Sequence, residues 1–269
     1  MTLVLRDIIR HFTVDNDRVF LTGAGDGATM AMDVGMSHPD LFAGVVAMAP
    51  PFPKWANMFQ VYWTNARLVP YYVVTGEMAK ESFKELRPLY EKWTQYGFPS
   101  LLTIYKGRGI EWFTAEVPAA FDWMSRKKRP GVASTLRLDA AAGQLGWHTM
   151  READNHFYWL SVEKVAPVHL MANVPAGVPA VPAKIVTADI RGSNQIVLKT
   201  IGVRQFTVWL SRDMIDWTKP VNVNLNNGTP PGWRPKLMEP DLGVLLEDYR
   251  ERGDRRILFM GKLEFQTGN

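Results

Sequence analysis

The sequence predicts an α/β fold in which a parallel sheet with flanking helices is followed by a β-rich, sandwich-like module. Over residues 1–127, apolar strand-like runs alternate four times with helical segments, which is typical of a parallel sheet. From residue 128 onward, short β-like runs follow one another with a single late helix among them. We therefore expect two domains, residues 1–127 and residues 128–269.

The predicted elements of the first half follow from apolar spacing and from residues that stop helices. The run 43–49 is continuously small and apolar, as in a strand buried on both faces. His38-Pro39 ends the helix before it, because the residue preceding a proline avoids the α region. In order, we predict a helix over 2–12, a strand over 18–23, a helix to about 37, a strand over 43–49, an irregular helical segment over 54–68, a strand over 71–76, a helix over 78–96, a strand over 101–105 and a helix over about 114–126.

The second half carries turn and cap signals between its β-like runs. Asn226-Asn227-Gly228 predicts a hairpin turn. The late helix, about 240–252, has Pro240 near its start and Gly253 just after its end, which are the positions that these residues favour. The predicted strands span 134–138, 146–150, 157–162, 184–190, 195–200, 205–210, 221–225 and 257–265.

The composition excludes several classes of function. The chain has 269 residues, of which 46% are hydrophobic, so it can bury a sizeable core. It has no cysteine, which excludes disulfides, thiolate zinc sites and thiol catalysis. The net charge of +4 is mild and its basic clusters fall at predicted helix ends, so we expect no nucleic-acid partner. No apolar run approaches the ~20 residues of a membrane span, so no membrane partner is expected, and the compartment stays open.

The histidines favour a surface or structural role, and the alternative is a metal site at His148 and His156, which have Glu152, Asp154 and Asn155 between them. The sequence contains five of them, and no pair has a recognised ligand spacing. His148 and His156 fall in neighbouring β segments, and we interpret them as a contact across a hairpin. The sequence therefore predicts no metal and no cofactor.

The segment 15–50 combines a strand, a tight glycine-containing turn, a helix and a His-Pro-Asp stop. The residues in question are Asp15, Arg18-Val19, Leu21-Thr22-Gly23, Gly27, His38-Pro39-Asp40 and Phe42-Ala43-Gly44. At these positions it resembles the elbow segment of α/β-hydrolases of the esterase and polyhydroxybutyrate-depolymerase-like group. The resemblance continues to residues 105–113 and covers about residues 1–127. It implies a partial α/β-hydrolase sheet, without the strands that precede the elbow in the family, and an ancestry in carboxylic-ester or peptide hydrolysis.

In this family the elbow motif G-x-S-x-G carries a nucleophilic serine at the turn between a strand and a helix. The same frame here is Gly23-Ala24-Gly25-Asp26-Gly27, which puts Gly25 at the nucleophile position. Ile110 stands at the position of the catalytic histidine, and Glu77 or Glu81 is the candidate acid. Because attack, proton transfer and orientation of the base are needed together, the resemblance implies a degenerate triad and a binding or structural role.

Two other functions stay open. Asp26 would be the nucleophile if the elbow worked as in haloalkane dehalogenases, or an upstream or partner group would supply one. Against Asp26, the matching residues fix the register one position earlier, no histidine follows the fourth strand, and the helix dipole by itself favours a carboxylate in the first turn. In the second alternative the β-rich half recognises polysaccharide or protein, and the chain is a non-catalytic binding module.

Ligand binding at the elbow is a further expectation. Backbone N–H groups around Gly23, Ala24 and Gly27 would point to one spot, where they suit an anion or a carbonyl. Arg108 and Glu111 flank the histidine position and are expected to pair near it. The expected ligand is a small-molecule ester, a peptide or a glycan.

The strand over 18–23 is expected at an unpaired edge of a four-stranded sheet. An apolar edge strand is prone to aggregation unless something covers it. We therefore expect a missing upstream segment, a partner chain or the β-rich module to cover this strand.

Overall fold

The computed structural model describes residues 2–52, 61–138, 145–175, 178–192 and 194–267. The chain divides into two compact units, residues 15–130 and residues 1–14 together with 131–269. The structure confirms the predicted fold class, because one unit carries a parallel sheet flanked by helices and the other is β-rich. It differs from the predicted domains in the placement of residues 1–14 and 128–130.

Side-chain contacts explain both differences. In α1 (Thr2–His11), Ile9 is 3% exposed, and its carbonyl accepts a 3.2 Å hydrogen bond from the Arg255 guanidinium. These contacts join α1 to the C-terminal part of the chain. Arg129 instead donates to the Asp17 carboxylate at 3.0 Å, which holds residues 128–130 on the first unit.

Residues 15–130 form a four-stranded parallel sheet with helices packed on it. The strands are β1 (Phe20–Ala24), β2 (Gly44–Met48), β3 (Tyr71–Gly76) and β4 (Ser100–Tyr105), in the spatial order β1-β2-β3-β4. The helices are α2 (Asp26–Ser37), α3 (Lys80–Gln95) and α4 (Val117–Ser125). The predicted irregular helical segment lies outside the described residues over 54–60 and ends in a 3-10 helix, Trp63–Leu68. Because the strands are parallel, the loops that follow them all lie at one edge of the sheet.

A tryptophan fixes one face of this sheet. Trp123 and Ala120 of α4 are buried together with Tyr72 and Val74 of β3. A Cβ atom on Gly44 would lie only 2.7 Å from the Trp123 ring. Glycine at this position of β2 therefore lets the indole reach the sheet.

β1 forms one edge of the parallel sheet. In the described part of the unit, β1 is paired with β2 alone. It begins at Phe20 and not at residue 18, because the preceding residues form a 3-10 turn, Asn16–Arg18, that the Asp15 side chain caps. Thr22 is exposed on this strand, whereas Leu21 is buried. The expectation that another segment or chain covers the free side of β1 stays a prediction.

The second unit contains two further sheets. One has the order β12-β10-β9-β5 with β6 also on β9, and the other has the order β13-β11-β8-β7. All their pairings are antiparallel except that of β10 with β12. The elements are α5 (Val132–Thr135), β5 (Arg137–Leu138), β6 (Trp147–Thr149), β7 (His156–Phe157), β8 (Leu160–Val165), β9 (Ala183–Arg191), β10 (Gln195–Ile201), β11 (Val203–Ser211), β12 (Asn222–Leu225), α6 (Leu242–Arg252) and β13 (Phe259–Gln266).

Three local predictions in this unit need correction. The strand predicted over 134–138 is reduced to Arg137–Leu138, because Val132–Thr135 form a helix. The hairpin contact between His148 and His156 is wrong, because β6 pairs with β9 and β7 pairs with β8 in the other sheet. The late helix begins at residue 242 and not at 240, because the Asp241 carboxylate caps it by accepting a 2.6 Å hydrogen bond from Gly243 N.

The predicted turn at 226–228 and the predicted helix end are both present. Asn226 and Asn227 have φ values of 53° and 68°, the left-handed geometry of a tight hairpin-type turn. Gly253 ends α6 with φ 67°. None of the helices described here is both long enough and apolar enough to cross a membrane.

Candidate functional site

The elbow lies between β1 and α2. The strand ends at Ala24, the helix begins at Asp26, and Gly25 alone makes the turn with φ 56° and ψ −129°. Residues with a side chain rarely adopt these φ and ψ values, and strained backbone conformations of this kind are found most often at functional sites. A Cβ on Gly25 would meet nothing within 4 Å. A side chain here would therefore project into open space, which is the arrangement that exposes the nucleophile of an elbow.

Close contact between strand and helix explains one glycine of the motif but not another. A Cβ on Gly23 would lie 2.1 Å from the carbonyl oxygen of Gly27, so β1 and the first turn of α2 meet backbone to backbone. Gly27 itself has open space around its Cα. Of these two glycines, Gly23 is therefore the one that cannot be replaced without a steric clash.

The helix start leaves donors at the turn. Ala28 N and Thr29 N both donate to the Gly25 carbonyl, at 2.9 and 3.3 Å, while Gly25 N donates to Met48 O at 2.9 Å. The N–H groups of Asp26 and Gly27 come before the first intrahelical bond and have no carbonyl of α2 to bond to. The turn thus offers two donors, and both belong to the first turn of α2, whereas Gly23 and Ala24 lie within β1.

Asp26, the alternative nucleophile, is exposed in the first turn of α2. A carboxylate there is stabilised by the helix dipole without any catalytic role. His38, the histidine nearest to it in sequence, caps the opposite end of this 12-residue helix. That places His38 about 18 Å away along the helix axis, too far to activate a water for Asp26.

The acid and histidine positions lie together beyond β3 and β4. Glu77 directly follows β3, and its carboxylate accepts a 3.1 Å hydrogen bond from Gly107 N. Met78 N donates to Arg108 O at 2.8 Å, so the loop after β4 is held against the end of β3. The side chain of Glu81, the other acid candidate, lies outside what the structure describes.

The loop after β4 ends in exposed side chains. Ile110, at the histidine position, is 60% exposed. Arg108 and Glu111 form the expected pair, with Nη1 and Oε2 3.8 Å apart, but both are exposed. An exposed ion pair of this kind contributes little to the stability of the fold. The pair therefore lies beside Ile110, as expected, but it does not stabilise the loop appreciably.

The nucleophile position, Gly25, lies apart from the acid and histidine positions. Gly25 and Ile110 follow strands at opposite edges of the sheet, separated by three spacings or about 14 Å. A Cβ on Gly76 would lie 2.2 Å from Arg108 O, so the loop returns to the end of β3. β1 and β3 are two strand spacings apart, or about 10 Å. Side chains at positions 25 and 110 would have to span this distance in order to meet.

A buried tyrosine–carboxylate cluster holds the far end of the same loop. Glu116 is 9% exposed, and its carboxylate accepts hydrogen bonds from the hydroxyls of Tyr72 and Tyr105. The Tyr105 hydroxyl lies 2.7 Å from Glu116 Oε1, and its ring stacks on Phe113. This cluster could not be predicted from the sequence, since Glu116 is eleven or more residues from both tyrosines and no motif marks it.

Burial and the Glu116 carboxylate raise the pKa of Tyr72 to about 12, and the hydrogen bond to Glu116 raises the pKa of Tyr105 as well. The unfolded chain releases the Tyr72 proton near pH 10, so Tyr72 stabilises the fold fully below pH 10 and loses this contribution between pH 10 and 12. We expect absorbance titration at 295 nm to show one tyrosine that ionises near pH 12 and is absent in Tyr72→Phe. Ionisation of all tyrosines near pH 10 in the folded protein would contradict the cluster.

Among the described residues, no group of three histidine, aspartate or glutamate side chains is arranged to hold a metal ion.

No protein-family model matches the sequence, and no curated protein matches it. Solved structures do resemble it. A ferulic acid esterase is 20% identical with a TM-score of 0.40, over 46% of this chain and 58% of that one. The esterase PE8 is 18% identical with a TM-score of 0.35, over 46% and 57%. The Bacillus cereus carboxylesterase is 15% identical with a TM-score of 0.31, over 46% and 59%.

These structural neighbours are esterases, the class to which the elbow segment bears its resemblance. The chain spans less than two thirds of their length, between 57% and 59% for these three. Identities of 15–20% concern the fold alone, and TM-scores of 0.31–0.40 are too low to carry an argument about activity.

Proposed function

We propose that residues 15–130 are an α/β-hydrolase-derived unit with an intact elbow backbone and no catalytic triad, descended from an enzyme that cleaved carboxylic esters or peptides. The conformation of Gly25 carries this proposal. Its φ of 56° and ψ of −129° suit an elbow nucleophile, and the space around its Cα is open. Glycine, however, has no group that can attack a carbonyl.

The other two triad positions support the same conclusion. Ile110 cannot accept or donate a proton, and the Glu77 carboxylate is bonded to the backbone N–H of Gly107. An acid that bonds to the loop itself has no base to orient. Because it has neither a nucleophile nor a base, we expect this unit to have a ligand-binding or structural role and not to hydrolyse esters or peptides.

The turn can still hold a ligand without reacting with it. The free N–H groups of Asp26 and Gly27 suit a carbonyl or carboxylate oxygen, as in an ester, a peptide or an acylated glycan. Catalysis by Asp26 is the second candidate, favoured by its exposure beside this turn. It lacks a neighbouring base, since His38 lies at the other end of α2.

A fluorophosphonate probe tests the first proposal. The probe phosphonylates activated serines, so we expect no covalent adduct on the wild-type chain by intact-mass spectrometry. An active serine esterase treated in the same reaction is the control for the reagent. A stoichiometric adduct on the wild-type chain would show that an activated serine exists elsewhere and would contradict the proposal.

A further inference from the structure

A cavity of about 800 Å³ lies between α1 and α6, in the unit that does not contain the elbow. This volume is within the range of sites that hold small molecules. The charged residues that line it are Arg6 and Arg10 from α1 and Glu247, Arg250 and Glu251 from α6. Nothing in the proposed function involves this cavity.

The arginines of the cavity lack carboxylate partners. Arg6 and Arg10 are one turn apart on α1, and Arg250 faces the same cavity from α6. Over residues 2–52, 61–138, 145–175, 178–192 and 194–267, none of the three guanidinium groups has a carboxylate within 4.0 Å. Among the described residues, the Arg10 guanidinium donates to one group, the carbonyl of Arg250, at 3.2 Å.

Eight arginines elsewhere in the described residues have carboxylate partners. Arginines that form ion pairs with carboxylates are Arg18, Arg87, Arg108, Arg126, Arg129, Arg151, Arg191 and Arg252. The three cavity arginines instead concentrate positive charge around one cavity without forming ion pairs in the described part of the chain. A concentration of this kind raises the local affinity for anions.

The two glutamates of the cavity form no ion pair with these arginines within the described residues. Both Glu247 oxygens lie 2.9 Å from Lys262 Nζ, so that carboxylate is already paired. Burial and the neighbouring Glu247 raise the pKa of Glu251 above its usual value. In the part of the chain that the structure describes, the Glu251 carboxylate forms no ion pair with Arg6, Arg10 or Arg250. The arginines therefore remain available to an external anion.

Exposed leucines lie on the same two helices as the arginines, and one of them lines the cavity. Leu246 lines the cavity and is 54% exposed, and Leu242, one turn before it on α6, is 69% exposed. Leu3, at the start of α1, is 66% exposed. Apolar surface next to a group of guanidinium groups fits a ligand that is anionic at one end and apolar at the other.

We propose that the cavity between α1 and α6 binds an anionic amphiphile, a small molecule with a phosphate or carboxylate group joined to an apolar chain. The planar guanidinium groups of Arg6, Arg10 and Arg250 bond the anionic group, since their paired N–H donors match its oxygens. Leu242 and Leu246 contact the apolar chain.

Calorimetric titration with octyl phosphate, below its micellar concentration, tests the proposal. We expect binding to the wild-type chain and at least a tenfold loss of affinity in Arg6→Gln and in Arg250→Gln, because each removes a charge-assisted hydrogen bond. Arg126→Gln, which removes an exposed arginine paired with Asp122, is the matched control and should bind like the wild type. Circular dichroism verifies that each variant is folded.

One further titrant and one further variant define the ligand class. Inorganic phosphate should bind more weakly than octyl phosphate, and Leu246→Ser should weaken octyl phosphate without affecting inorganic phosphate. Absence of octyl phosphate binding, or equal binding in the arginine variants, would overturn the proposal. Sedimentation with phosphatidylglycerol vesicles in the absence of octyl phosphate binding would also overturn it, because the site would then bind a membrane surface and not a small molecule.

Discussion

Replacing Gly23 by alanine is expected to destabilise residues 15–130 by about 3 kcal/mol, the upper part of the range for overpacking a tight contact. The new Cβ would lie 2.1 Å from the carbonyl oxygen of Gly27 and 2.6 Å from Ala28 N. Both are backbone atoms in the first turn of α2, so no change of side-chain rotamer can relieve the clash. Equilibrium urea unfolding, followed by tryptophan fluorescence, measures the difference.

Gly27→Ala is the matched control for this prediction. A Cβ on Gly27 meets nothing within 4 Å, and alanine is favoured over glycine inside a helix by about 1 kcal/mol. We therefore expect Gly27→Ala to be neutral or stabilising. Equal losses of unfolding free energy in the two variants would contradict the close strand–helix contact at Gly23.

The double variant Gly25→Ser, Ile110→His is expected to gain activity. A serine at position 25 meets no steric obstacle, although its φ of 56° costs about 1–3 kcal/mol of stability. A histidine at the exposed position 110 supplies the missing base, and general base catalysis is worth about 10²–10⁴ in rate. We expect at least a tenfold rise in p-nitrophenyl acetate hydrolysis over the wild type, with a fluorophosphonate adduct on Ser at position 25.

Gly25→Ala, Ile110→His is the control for the double variant. It has the same backbone strain and the same histidine but no hydroxyl group, so it should remain inactive. If it hydrolysed the ester as fast as the serine variant, the gain would come from the histidine alone. The elbow would then not be the site of attack.

Much of the fold could be predicted from the sequence because its signals are local. Four apolar runs separated by helical segments define a parallel sheet, and the motif at 23–27 identifies the turn whose backbone the structure shows. The motif predicts a glycine at position 23, but it does not show why glycine is needed there. The reason is that Gly27 O lies too close to the Gly23 Cα to leave room for a side chain. Short-range spacing, in other words, is sufficient where neighbours in sequence are also neighbours in space.

The remaining features depend on contacts between distant residues. α1 has an amphipathic pattern that suits either unit, and its place is decided by Ile9 and by the bond from Arg255, 246 residues away. Glu116 meets Tyr72 across 44 residues, so no local pattern announces the cluster. The cavity arginines likewise lie at the two ends of the chain.

Hydrolysis of p-nitrophenyl acetate and butyrate by the purified wild-type chain tests the absence of a working triad most directly. With Gly25 at the elbow and Ile110 at the histidine position, the rate should equal that of buffer, and Asp26→Asn should not change it. Turnover well above buffer that Asp26→Asn abolishes would contradict this account and assign the nucleophile to Asp26.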